Sequence, residues 1–308
     1  MLIQVDGKMP NLALMKISSY YKSLGDSVGF DITNPDKVYS SCIFSDNLSD
    51  AMKGRVDYPL AEFYIGGPGL LAPTYLPDEV EHIMPDYSLY PDIDFSLGFT
   101  SRGCINDCGF CVVPKIEGCY KENAPIKEFH NPEFEKLILL DNNILAGKKD
   151  KIREKFDYIL ENDLKVSFTQ GLDARLIDET VAVWLAELRS YNFHFTRKGY
   201  YLAWDFVQNE NDIITGIQNL INVGEKPYKM MCYVLVGYNT THQEDYYRFK
   251  KLREISAEPF IMVYNNRKDD KWIRHFARWV NRRYYKSCSL NDYLDKLNYV
   301  NELGELFE

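Results

Sequence analysis

From residue 94 onward the chain alternates strand-length apolar runs with helix-length amphipathic ones, and that rhythm restricts the fold more than any other feature. The strand candidates are DFSLGFT (94–100), KLILLDN (136–142), KVSFTQG (165–171), GYYLAWD (199–205), KMMCYVLVGY (229–238) and EPFIMVYN (258–265). Between them, residues 148–162, 177–188, 210–224 and 242–255 carry apolar side chains at helical spacing. Strands that alternate with helices are joined by crossovers and pair in parallel. Six β/α units fit this span. They predict a partial (β/α)6 TIM-type barrel over residues 91–285, with the chemistry at the carboxyl ends of the strands.

Ahead of it, residues 1–90 read as a smaller α/β domain. LIQV opens as a strand, NLALMKISSYYKSLG follows as a helix that Gly25 ends, and VGFDI, VYSSCIF and EFYIGG are further strand candidates. This is the pattern of a small doubly wound, Rossmann-like unit. Five prolines between Pro68 and Pro91 then break the rhythm and predict a wrapping connection. Residues 286–308 are left as a C-terminal tail.

Composition narrows the partners. The net charge of −9 disfavours a large nucleic acid, which needs a concentrated basic face. One basic run, RHFARWVNRRYYK (274–286), reads first as a solvated helix face with Phe276 and Trp279 on its apolar side. No apolar run approaches the roughly 20 residues that span a bilayer, and the opening MLIQVDGKMPN lacks the basic start and apolar block of a signal peptide. The expectation is a cytoplasmic protein with no membrane partner, where clustered cysteines bind metal or do redox chemistry.

Such a cluster exists. Of seven cysteines, Cys104, Cys108 and Cys111 fall within eight residues of GFTSRGCINDCGFCVVPK, directly after the first barrel strand. Three thiolates at C-x3-C-x2-C spacing can surround one metal or a cubane, yet leave either one ligand short. A zinc site would need a fourth ligand, for which Cys119 and His130 are the nearest candidates, neither at zinc-ribbon pairing. Spacing alone leaves open an iron–sulfur cluster with a free coordination position, a zinc site, and unligated core cysteines.

SRGCINDCGFC resembles the signature of the radical SAM superfamily, in which an aromatic, here Phe110, precedes the third cysteine. The small α/β domain in front and the flanking SRGC resemble the group with an N-terminal cobalamin-binding-like domain, and the likeness extends from about Leu2 to Asn265. The resemblance implies that Cys104, Cys108 and Cys111 ligate three irons of a [4Fe-4S] cluster and that S-adenosylmethionine chelates the fourth. It further implies reductive cleavage of that cofactor to a 5′-deoxyadenosyl radical, which takes hydrogen from a small or medium organic substrate. A reductant such as flavodoxin or ferredoxin would supply the electron. Low-potential electron delivery is within the range of thiolate-held cubanes.

Other cofactor contacts follow from the same resemblance. LLDNN stands where relatives bind the methionine amino group, which makes Asp141 and Asn142 candidates. Arg175 is placed to pair with the methionine carboxylate, or else forms an ion pair with Asp173 or Asp178. Asp205 is the candidate for a ribose hydroxyl, and Gly237 for close backbone approach to adenine. In the N-terminal domain, QVDGKMPNLA has Asp6 and Gly7 but lacks the histidine of base-off cobalamin domains. YIGGPG resembles that fold's glycine turn, which also serves ordinary tight turns. Cobalamin is therefore not expected, with a base-on or histidine-free mode as the alternative.

The remaining cysteines, Cys42, Cys119, Cys232 and Cys288, are scattered singly and encode no second cluster. This argues against the tRNA methylthiotransferases, which resemble the barrel but carry further domains. Cys232 is either a hydrogen donor facing the barrel interior or a buried small apolar residue, the latter being the first reading. Tyr200, Tyr201, Trp204, Tyr238 and Tyr264 are expected at strand ends around a substrate cavity, and His242 and Glu244 either act as acid and base or open a helix. Two other functions stay open: a nucleotide or nucleic-acid modifying radical SAM enzyme, and a non-catalytic iron–sulfur electron-transfer or zinc-binding protein.

Overall fold

The computed structural model of the chain describes residues 1–297, apart from 71, 73 and 268. The architecture is mixed α/β, and its three larger sheets are parallel throughout.

Strands β1 (Leu2–Gln4), β2 (Lys37–Ser41) and β3 (Glu62–Gly66) form the first sheet in the order β1-β2-β3. Helix α1 (Leu12–Ser23) makes the first crossover. Asn11 caps it by accepting from Leu14 N at 3.1 Å and donates to Ser41 Oγ at 2.7 Å, so one side chain both starts the helix and ties it to β2. The second crossover is made by the short helices α2 (Leu48–Ala51) and α3 (Lys53–Asp57).

Two expectations fail here. VGFDI is not a strand: it runs as bends, joined to the sheet by the bond from Leu2 N to Gly29 O at 2.9 Å. Its residues and surroundings explain this, because Asp31 within the run and Asn34, Pro35 and Asp36 after it favour turns over a ladder, and Asn34 takes a left-handed φ of 49°. Nor is the sheet doubly wound. Each crossover steps in the same direction, so among the described residues the strand order never reverses and no switch-point crevice forms at the strand ends.

The proline-rich connection carries α4 (Asp78–Glu81) and wraps back along α1, with Ser18 Oγ donating to Asp86 Oδ2 at 2.6 Å. The second sheet follows. Strand β4 (Phe95–Gly98) leads into a small antiparallel ladder of β5 (Ser101–Arg102) and β6 (Lys121–Glu122) that encloses helix α5 (Val113–Ile116). Next come β7 (Lys136–Leu139), α6 (Lys149–Glu161), β8 (Lys165–Phe168), α7 (Glu179–Glu187) and the short β9 (Arg189–Ser190). The sheet order is β4-β7-β8-β9.

The third sheet contains β10 (Tyr200–Trp204), β11 (Met230–Val236) and β12 (Glu258–Val263), with α8 (Glu210–Asn222) and α9 (His242–Glu254) as crossovers and α10 (Lys271–Asn281) after the last strand. Two bridges link it to the end of the second sheet, a parallel one from Leu172 to Leu202 and an antiparallel one from Tyr191 to Lys198. Strand β11 shows how the layers divide: Met230, Cys232, Val234 and Val236 are buried in the main core, while Met231, Tyr233 and Leu235 are half-buried. On the half-buried face Tyr201 stacks on Tyr233 at 5.5 Å and Phe260 meets Tyr233 edge-on at 5.8 Å.

Helix α10 turns Trp272, Phe276 and Trp279 inward and leaves Arg274 and Arg278 exposed, as its pattern predicted. Of the tail, α11 (Leu290–Asp295) packs Leu290 and Leu294 into the same core, while residues 298–308 lie outside the described residues. Among the described residues no helix is long and apolar enough to cross a membrane.

Candidate functional site

The chain leaves β4 through Thr100 and Ser101, both buried, and Asp141 fixes that exit. Its Oδ1 accepts from Thr100 Oγ1 at 2.5 Å and from the amide and hydroxyl of Ser101, both at 2.6 Å, while Oδ2 accepts from Thr100 N at 3.1 Å. Burial pushes the Asp141 carboxyl up, and the bonds from Ser101 and Thr100 pull against it. The neighbouring Asn142 Oδ1 accepts from Gly103 N at 2.9 Å. Gly103 sits at φ +75°, and a Cβ there would run into the Cys119 carbonyl, so only glycine lets the two ends of the loop lie together. Cys104 N donates to Gly118 O at 3.3 Å, and Arg102 Nη1 to Glu117 Oε1 at 3.0 Å. Residues 104–117 therefore form a loop pinned at its base.

Within that loop all three thiols are half-buried and free. Cys104 Sγ receives the Asn106 amide at 3.4 Å, Asn106 Nδ2 at 3.6 Å and Asn143 Nδ2 at 3.6 Å. Both side-chain amides also donate to Asp173 Oδ2 at 3.2 Å. Asp173 is held in turn by Arg175, whose Nε and Nη2 each reach it at 2.7 Å. Burial and then Asp205 push the Cys108 thiol up, Arg175 draws it down, and Cys111 and Cys104 add to the rise. Burial likewise pushes the Asp205 carboxyl up to about 6, against Arg248 and Arg175. Among the described residues no three His, Cys, Asp or Glu side chains stand in metal-holding geometry, the thiols of the triad included.

An aromatic group lies beside the triad. Phe110 meets Phe206 at 5.7 Å and Tyr238 at 5.5 Å, and Tyr238 meets Tyr264 at 4.8 Å. These rings come from the loop and from the carboxyl ends of β10, β11 and β12. Gly237, at φ +80°, turns the chain out of β11 next to Tyr238.

The expected residues divide accordingly. Phe110, Arg175, Asp205 and Gly237 lie at the carboxyl-end face with the cysteines. Arg175 takes the second of its two expected roles, the bidentate pair with Asp173. Asp141 and Asn142 hold backbone at the base of the loop. Tyr200 and Trp204 are not part of the aromatic group beside the triad: Tyr200 donates to Leu185 O at 3.0 Å, Trp204 Nε1 donates to Phe206 O at 2.8 Å, and both are buried in the core. His242 stacks on Trp272 at 4.2 Å and bonds Asp270 at 2.9 Å, while Glu244 closes a capping box with Thr241, so both open α9. Cys232 is fully buried among core side chains, and burial pushes its thiol up. His130 is satisfied between Tyr158 Oη and Phe134 O, each at 3.1 Å.

In the N-terminal unit, Asp6 accepts from Ile43 N at 2.9 Å and from Phe44 N at 2.9 Å, which closes the loop after β2. Gly67 and Gly69 lie against Cys42, where a Cβ on either would collide with its backbone or sulfur. The glycine turn is thus accounted for by close packing of strand ends.

Sequence reasoning missed Asn143, Asn106 and Arg248, and it named Asp173 only as an ion-pair partner of Arg175. Asn143 is buried, and its Oδ1 has no hydrogen-bond partner. No family model and no curated protein matches the chain.

Proposed function

We propose that the chain is a single-cluster radical SAM enzyme acting on a small or medium organic substrate, built as a half-Rossmann-like unit followed by a partial (β/α)6 TIM-type barrel. The strand order β1-β2-β3 is that of one βαβαβ half, and six longer parallel strands follow in two sheets bridged at Leu172 and Leu202. The observation that carries the reading is the loop itself. Three free thiols leave the carboxyl end of the first of these strands on a loop pinned by Asp141, Asn142 and Gly103, and one sulfur already receives amide N–H groups.

By the chemistry of the donors, three thiols on one loop suit a [4Fe-4S] cluster held by Cys104, Cys108 and Cys111, which would draw together sulfurs that do not stand in metal-holding geometry here. Held by these residues, such a cluster would supply the single electron needed for reductive cleavage of S-adenosylmethionine. The chain's own residues bind and enclose. Asn143 Oδ1, buried and unpartnered, is the acceptor we assign to the cofactor's amino group in place of Asp141 and Asn142. Asp205 and Gly237 are assigned to its nucleoside end. Phe110, Phe206, Tyr238 and Tyr264 wall the space against water, which protects a radical from quenching. The N-terminal unit serves as scaffold, without cobalamin, because Asp6 and the glycine turn are taken up by strand-end packing. We place the protein in the cytoplasm, where its seven free cysteines stay reduced.

The test is anaerobic. The protein is reconstituted with iron and sulfide, reduced and given S-adenosylmethionine. The expected result is 5′-deoxyadenosine from the parent and none from Cys108→Ala. A metal site that neither binds nor cleaves S-adenosylmethionine under several reductants sinks the reading and moves the protein to an electron-transfer or zinc-binding role.

A further inference from the structure

The side chains around Cys104 form a connected unit. A neutral amide can present either its oxygen or its nitrogen, but a carboxylate only accepts, so Asp173 decides which end of each asparagine faces it. Its Oδ2 takes Nδ2 of Asn106 and Nδ2 of Asn143, each at 3.2 Å. The same two nitrogens then reach Cys104 Sγ at 3.6 Å, and the Asn106 backbone amide reaches it at 3.4 Å. Reversing Asn143 would satisfy its orphaned oxygen with nothing on this side and set that oxygen against Asp173. The orientation is therefore enforced although it leaves Oδ1 buried and unpaired. Arg175 completes the unit by gripping both oxygens of Asp173, with its own amide bonding Oδ1 at 3.2 Å.

Resting on the radical SAM reading above, we infer that Asn106 and Asn143, aimed by the Asp173–Arg175 pair, are positioning residues that set the reduction potential of the cluster through N–H···S bonds to Cys104. The physical ground is charge. Reduction adds negative charge that spreads onto the ligating sulfurs, and donors pointed at a sulfur stabilise the reduced form, which raises the potential. Cys104 is the only triad member for which such donors are recorded among the described residues. The tuning is thus one-sided, applied where the loop joins the barrel.

The test is a redox titration of the reconstituted protein followed by electron paramagnetic resonance, with iron and sulfide counted per chain for every variant. Asn143→Ala and Asn106→Ala should each move the couple to a more negative potential, and the double variant further. Asp173→Ala, which touches no sulfur, should reproduce the shift of the double variant by freeing both amides to turn. A purely structural Asp173 would lower the melting temperature and leave the potential in place. If Asn143→Ala fails to take up the cluster, Asn106→Ala on the half-exposed loop decides the matter. Couples unchanged in variants that hold a full cluster overturn this inference and leave the radical SAM reading standing. A parent protein that takes up no iron and sulfide overturns both.

Discussion

Arg102 Nη2 bonds Glu81 Oε1 at 3.1 Å, and the same oxygen accepts from Lys16 Nζ at 2.9 Å. Three separate segments meet in that oxygen: helix α1 of the first sheet, the proline-rich connection, and the base of the cysteine loop. Phe99 packs under the guanidinium at 4.0 Å, and Glu117 takes its other arm.

Breaking this junction on one side should be costly. Glu81→Ala strands Lys16, which is only 4% exposed. A buried charge that loses its partner costs about 3 kcal/mol. Adding Lys16→Met should recover more than half of the loss, because the stranded charge is then gone and its stem is replaced by one of similar volume. Urea unfolding of both variants checks this; a double variant no more stable than the single one would refute the argument.

The junction also predicts a pH dependence. Burial pushes the Glu81 carboxyl up, but Lys16 and Arg102 together outweigh it and hold the group below its ordinary value. Lys16 behaves differently, since burial is its largest influence and lowers it even with Glu81 alongside. A depressed carboxyl stabilises the fold fully above its unfolded pKa, and that contribution is lost as pH falls through the folded value. The stability gap between the parent and Glu81→Gln should therefore be present at neutral pH and close through the acid range. Unfolding midpoints taken along that range decide it; a gap that widens in acid contradicts the assignment.

Much of the fold was legible because strand and helix periods differ. The six longer strands and the four crossover helices named from sequence all form where the alternation put them. VGFDI misled because a short apolar run says nothing about partners, and the turn residues within and after it won. The site was legible only as far as spacing reaches. The triad and Phe110 stand on one loop as expected, but in DNN the direction of each side chain depends on the backbone path out of β7. That path turns Asp141 to the base of the loop and Asn143 to Cys104. Arg248 escaped notice for a related reason, since an arginine among DYYRFKK looks like part of a solvated face.

Asp141 offers a test of how the loop is held. Its carboxylate accepts from two backbone amides and two hydroxyls. Asn is nearly the same shape but presents an NH2 group where one set of donors already points. We expect Asp141→Asn to cost on the order of 3 kcal/mol, since a buried donor left unpaired costs about 1–3 kcal/mol and here more than one is affected. Iron uptake per chain should fall with it, because the turn through Thr100 and Ser101 sets the start of the cysteine loop. Normal stability with full iron uptake would show that the turn holds itself.

Arg248 makes the sharpest case for a side chain that is not interchangeable with its nearest analogue. It is fully buried, and its Nη1 reaches Trp204 O at 2.8 Å and Asp205 O at 2.7 Å, while Nη2 reaches Leu235 O at 2.7 Å and Asp245 Oδ1 at 2.5 Å. One planar fork thus laces the ends of β10 and β11 to α9, beside Asp205, whose charge raises the Cys108 thiol. Lysine keeps the charge but cannot span these acceptors. Arg248→Lys should lose about 2–3 kcal/mol by leaving buried carbonyls unpaired, and Arg248→Met more, because Asp245 is then a buried charge without a cation. Burial already pushes the Asp245 carboxyl up while Arg248 holds it down, so adding Asp245→Asn to Arg248→Met should restore part of the loss. Urea unfolding of the three variants checks the order, and an Arg248→Lys protein within about 0.5 kcal/mol of the parent would mean that the charge, and not the fork, holds these strand ends.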